Sequence, residues 1–140
     1  MIVDASVWVA SVLDKDAHHE VSLAFMHRFV KERQIATVPL LVWAEIAGAV
    51  ARRTGDTERG LKAAGLITAQ VWVRGVPLDT SLANESMRLA ATLRLRGADA
   101  VYVALASICR EPLITLDAEM LQRARDVAEA FTPEQWLQKS

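Results

Sequence analysis

Four short apolar runs recur along this chain: MIV at 1–3, IATV at 35–38, VRGVPL at 73–78 and LITL at 113–116. Each is too short for a stable helix and rich in β-branched residues, so each reads as a strand. Longer stretches with helical periodicity or helix punctuation lie between them. Strands this apolar must be covered on both faces. Strands that alternate with helices build a parallel sheet with right-handed crossovers. The predicted class is therefore α/β: three layers, α/β/α, around a central, mainly parallel twisted sheet of four to five strands. Such sheets collect their ligand sites at the carboxyl ends of the strands.

The helices are read from period and punctuation. Asp16 to Arg33 is amphipathic, with Val21, Ala24, Phe25, Phe29 and Val30 assigned to its inner face. Pro39 suits the first turn of a helix running to about Arg53, which Gly55 stops. Another helix follows from about Asp56 to Ala69. Asp79 or Ser81 can cap the next, which runs to about Leu95 and which Gly97 breaks. A further helix covers about Ala98 to Cys109, and a short one follows Asp117. The tail through Pro133 and Trp136 adds an edge strand and a last helical turn. At 140 residues, 52% of them hydrophobic, one compact domain over 1–140 is the simplest organisation.

Against this background four acids are out of place. Asp4 is the only charge in MIVDASVWVASVL, Glu45 in IATVPLLVWAEIAGAVA and Asp99 in GADAVYVALASIC, while Asp117 closes the strand LITL. Asp4 and Asp117 follow strand ends. Glu45 lies in the second turn of the helix that leaves the second strand. Asp99 lies in the first turn of the helix that leads down into the fourth. In a parallel sheet all four start from one edge. Taken singly, Asp4, Asp99 or Asp117 can each be a helix cap, but a mid-helix Glu45 has no capping role. At an effective dielectric of about 20, two carboxylates roughly 4 Å apart repel by about 4 kcal/mol. Some must then stay protonated, or cations must lie between them. An all-oxygen anionic set suits Mg²⁺ or Mn²⁺, one ion or two. Zinc would want His or Cys, and hard cations held by carboxylates serve phosphoryl chemistry.

These residues resemble the PIN-domain ribonucleases, in particular the VapC-type toxins of toxin–antitoxin pairs. The resemblance runs from MIVDASVWVA through TVPLLVWAEIAGAVARR and GVPLDTSLANESMRLAATLRLRGADAVYVALA to LITLDAEM. It implies a metal-dependent endoribonuclease acting on RNA. Asp4, Glu45, Asp99 and Asp117 match the family's acidic cluster. Asp4 and Asp99 would hold the principal ion, and Glu45 and Asp117 would complete the pocket, hold a second ion or orient the attacking water. Ser6 and Thr115 match small hydroxyl positions that would steady carboxylates or bound water. The family also implies homodimerisation and inhibition by a small cognate antitoxin protein.

Two other functions stay open. A metal-dependent phosphatase of the haloacid-dehalogenase type also places Asp after its first strand, but carries a second Asp two residues on, where this chain has Ser6. A non-catalytic module that binds Mg²⁺ for regulation is the other. Twelve Arg against four Lys suits phosphate contact. Arg52, Arg53, Arg94 and Arg96 are the candidates to hold an RNA backbone. The net charge of −1 gives no general pull toward nucleic acid. His18, His19 and Glu20 read as a solvated helix start, and Trp8 and Trp43 as core or dimer contacts. The lone Cys109 excludes an internal disulfide and reads as a buried, inert thiol. No basic leader precedes the first strand. The longest nearly uncharged run, 35–51, is short for a membrane span and holds Pro39 and Glu45, so a cytoplasmic location is expected.

Overall fold

The structure, a computed structural model, describes residues 1–139. Five strands form one all-parallel sheet: β1 (Ile2–Val3), β2 (Ala36–Pro39), β3 (Val73–Val76), β4 (Leu113–Ile114) and β5 (Ala130–Phe131), in the order β3-β2-β1-β4-β5. Helices flank it: α1 (Ala5–Val12), α2 (His19–Lys31), α3 (Leu41–Thr54), α4 (Thr57–Thr68), α5 (Thr80–Leu93), α6 (Gly97–Cys109), α7 (Ala118–Arg123) and α8 (Pro133–Gln138). This is the expected α/β/α arrangement, with the tail supplying the fifth strand. β1 lies at the centre, with Ile2 opposite both Thr37 and Leu113. The strand order reverses there, and such a switch point opens a crevice at the strands' carboxyl edge.

Burial explains why such short strands hold. Ile2, Val3, Ala36, Val38, Leu113 and Ile114 are all fully buried. In α6 the run from Ala100 to Ala106 is buried, and this helix packs on β1, β2 and β4. An aromatic group of Trp8, Phe25, Phe29 and Trp72 fills a second part of the core, with Trp8 and Trp72 stacked at 5.7 Å. Trp8 also donates its indole N–H to the Val3 carbonyl at 3.1 Å, so it is a core residue. Trp43 is partly exposed and lies against Gly75.

Several expectations need correction. Helix α1 lies where the sequence suggested only a cap at Asp4; the three valines of ASVWVASV weaken its helix propensity, and packing overrides that. In α2, which begins at His19, Ser22 and Met26 join Phe25 and Phe29 inside, while Ala24 and Val30 are exposed. Pro39 ends β2 instead of opening α3; the Leu40 N–H bonds the Val76 carbonyl at 2.9 Å and carries the ladder to β3 past it, so its missing N–H costs no bond on that side. Gly97 opens α6. The chain turns before it at Arg94, which takes left-handed backbone (φ 55°), as Arg110 does after α6 (φ 53°). Gly55 does end α3, at φ 68°, and Asp79 caps α5 by accepting from the Leu82 N–H. Cys109 is half-buried, and burial pushes its thiol up, with the Glu111 charge adding to the rise. Among the described residues no helix is long and apolar enough to cross a membrane.

Candidate active site

Asp4 follows β1 directly and is almost fully buried. Its Oδ2 accepts from the Ser6 hydroxyl at 2.5 Å and from the Thr115 hydroxyl at 2.9 Å. Both donors are tied in turn. Ser6 Oγ accepts from the Leu116 N–H at 3.1 Å, and Thr115 Oγ1 accepts from the Asp117 N–H at 3.0 Å. The ends of β1 and β4 are thus stitched together through one carboxylate and two hydroxyls.

Asp117 has two engagements. Its Oδ1 caps α7 by accepting from the Met120 N–H at 2.9 Å. Its Oδ2 accepts from Arg96 Nη2 at 3.2 Å, while Arg96 Nε donates to Asp99 Oδ2 at 3.1 Å. Glu45 Oε1 accepts from the Tyr102 hydroxyl at 2.7 Å, a contact from α6 to α3. The capping role weighed from the sequence is therefore real for Asp117. Asp4 holds the cap position of α1 but makes no side-chain cap bond.

Electrostatics couple these acids. Burial pushes the Asp4 carboxyl up against the pull of Ser6 and Thr115, and the Asp99 charge adds to the rise. Burial also raises Glu45, the Tyr102 hydrogen bond opposes it, and the charges of Asp4 and Asp99 push further up. Asp99 is raised by burial, is partly relieved by Arg96, and feels Asp117 and Glu119. Tyr102 is raised too, first by burial and then by the charges of Asp4 and Glu45.

The acids reach one edge, yet they do not stand as a closed cage. Among the described residues no group of three or more His, Cys, Asp or Glu side chains is arranged to hold a metal ion. Asp99 and Asp117 are turned to Arg96, and Glu45 to Tyr102. The donor set nevertheless fits a hard divalent cation. It is all oxygen, and one exposed guanidinium balances only part of its charge. Three of its members hold protons more tightly than usual, through burial first and mutual repulsion second.

Beside Glu45 and Ser6 opens a groove of about 600 Å³ with an apolar floor that includes Val9 and Ala49. Arg52, Arg53, Asp16 and His18 line its rim. Arg53 pairs with Asp16 at 2.6 Å. Burial pushes the Asp16 carboxyl up, but the His18 N–H and the Arg53 guanidinium outweigh it and hold it below its usual value. Arg94 is exposed at the turn before α6, where its carbonyl accepts from Arg123. His19 leaves the solvated role expected of it: its Nδ1 lies 2.8 Å from the Ala10 carbonyl, joining α2 to α1.

Sequence reading missed Tyr102 and Asp16, and it read His18, which lines the groove, as part of a solvated helix start. Tyr102 was findable, since it lies one helical turn beyond Asp99 on the same face of α6. Nothing local marks Asp16 for this groove: its charged partner Arg53 comes from α3, while its other partner is the His18 backbone N–H two residues on.

The family model described as PIN domain matches residues 1–126. No curated protein matches the chain. Several solved structures share the fold. A Mycobacterium tuberculosis protein, VapC20, described as a sarcin-ricin loop cleaving toxin, superposes with a TM-score of 0.73 at 20% identity, covering 86% of this chain and 92% of its own. A toxin–antitoxin complex from Klebsiella pneumoniae gives 0.67 at 16% identity, over 94% of this chain and 96% of that one. FitAcB from Neisseria gonorrhoeae gives 0.70 at 17% identity, over 95% and 97%.

Proposed function

The chain belongs to the PIN domain family, and from that premise we propose that it is a metal-dependent endoribonuclease, the toxin of a toxin–antitoxin pair. In this reading residues 1–140 act as one PIN domain. It works as a homodimer in the cytoplasm and is held in check by a small antitoxin protein. The observation that carries the reading is the linked set of acids at the carboxyl edge of β1 and β4, four carboxylates that share charge coupling and, among the described residues, one cationic partner. The toxin assignment draws on the named toxin and the toxin–antitoxin complex among the structural relatives.

Asp4 and Asp99 would hold the principal Mg²⁺ or Mn²⁺, with Asp117 and Glu45 completing the set or holding a second ion. When bound, such an ion would supply Lewis-acid chemistry, stabilising charge that develops on the phosphodiester. The chain's own residues do the rest. Ser6 and Thr115 fix the Asp4 carboxylate so that it does not rotate away. Glu45, half-buried and unusually ready to take up a proton, orients the attacking water and accepts a proton from it. Arg52 and Arg53 hold the RNA backbone along the groove, and Arg94 and Arg96 meet it from the turn before α6. Hydrolysis leaves 5′-phosphate and 3′-hydroxyl ends.

The test is incubation of antitoxin-free protein with mixed cellular RNA in Mg²⁺, Mn²⁺ or chelator, followed by mapping of new 5′ ends. Discrete 5′-phosphate ends that vanish with chelator support the reading. Hydrolysis of a small phosphate ester without RNA cleavage would indicate a phosphatase. Cation binding without any cleavage would indicate a regulatory module.

A further inference from the structure

The turn between α5 and α6 is anchored on both sides. Arg94 takes left-handed backbone, Leu95 is buried, and the Arg94 carbonyl accepts from Arg123 of α7. Arg96 therefore leaves the surface from a fixed base, while its side chain stays 75% exposed. Its guanidinium reaches Asp99 on its own helix at 3.1 Å and Asp117 beyond the end of β4 at 3.2 Å. One planar group thus spans two carboxylates from separate elements, with a different nitrogen on each. An isolated exposed Arg–Asp pair contributes little to stability. A fork between two acids is different, because it puts positive charge between two groups that otherwise face each other as like charges.

We propose that Arg96 is the resident counter-ion of the Asp99–Asp117 pair and occupies the place a divalent cation takes, so that the cation must displace it. This rests on the metal-dependent reading above. The exchange needs no rearrangement of the core, since the exposed side chain can swing into water while its base stays held. A competing internal cation lowers the apparent affinity in proportion to the fraction of molecules that have released it. Arg96 therefore sets the divalent-ion concentration below which the site stays closed. It also keeps the apo protein from carrying two unbalanced carboxylates.

The experiment compares wild type, Arg96→Gln and Arg96→Lys by calorimetric titration with Mn²⁺ and by thermal unfolding in chelator and in Mn²⁺. Arg96→Gln should bind Mn²⁺ roughly 5- to 10-fold more tightly. Its Tm should fall below wild type in chelator and rise further on adding Mn²⁺. Arg96→Lys, which keeps the charge but loses the fork, should lie between. Wild-type or weaker affinity in Arg96→Gln overturns the proposal; a weaker one makes Arg96 a residue that orients the carboxylates. If wild-type cleavage is chelator-sensitive but Arg96→Gln gains no affinity, this proposal alone falls. If neither protein binds Mn²⁺ and chelator leaves cleavage unchanged, the metal-dependent reading falls and takes it along.

Discussion

Tyr102 donates its hydroxyl to Glu45 Oε1 at 2.7 Å, joining the middle of α6 to the second turn of α3. Tyr102 is fully buried and Glu45 about half so. The bond fixes an acid that otherwise has burial and two neighbouring charges against its ionised form.

Tyr102→Phe removes that bond and leaves the ring in place. Loss of a single hydrogen bond of this kind should lower stability by about 1 kcal/mol. RNA cleavage should fall roughly 10- to 100-fold, the usual range for a residue that orients a functional carboxylate. Glu45 would take up its proton at still higher pH, so the acid side of the pH–rate profile should move upward. An unchanged profile would remove Glu45 from the chemistry.

Asp4→Asn should have opposite effects on activity and stability. Cleavage should drop to the level of wild type in chelator. The Asp4 carboxyl is raised in the folded state, above its unfolded value of 3.8. Its ionisation therefore works against folding, and the stability tied to its proton is full below the unfolded value and lost as pH rises through the folded one. In chelator at neutral pH the variant should then melt higher than wild type, with the gap closing as the pH falls toward 4. Paired melting curves at both pH values check this.

The groove beside Glu45 predicts changes of opposite sign. Arg52→Ala and Arg53→Ala should weaken RNA binding, and each lost phosphate contact should reduce the salt slope of log K by about 0.7. Asp16→Asn releases Arg53 from its 2.6 Å partner and should tighten binding instead. Filter binding of a catalytically inactive Asp4→Asn background across a salt series separates the two.

Gly60 of α4 packs tightly against α3. A Cβ there would lie 2.4 Å from the Ala47 carbonyl oxygen and 2.9 Å from the Ala51 Cβ. Gly60→Ala should therefore destabilise by about 1–3 kcal/mol through overpacking, despite alanine's better helix propensity. Chemical denaturation measures it, and a stabilised variant would mean the two helices separate freely.

Much of this was readable in the residues alone. Apolar runs such as IATV and LITL, too short for helices and too apolar for a water-facing sheet, required parallel strands covered by helices. Chain direction then put Asp4, Glu45, Asp99 and Asp117 at one edge, because strand ends and helix starts coincide there. Helix α1 was not readable, since ASVWVASV favours a strand locally and becomes helix only by packing Val7 and Trp8 into the core. Nor were the partners that set the state of the other acids: Tyr102 on Glu45 across 57 residues, and Arg96 on Asp117 across 21. Periodicity and chain direction are one-dimensional properties, so the sequence carries them by itself. Which oxygen meets which donor depends on how separate helices settle on the sheet to within an ångström, and only the packed core decides that.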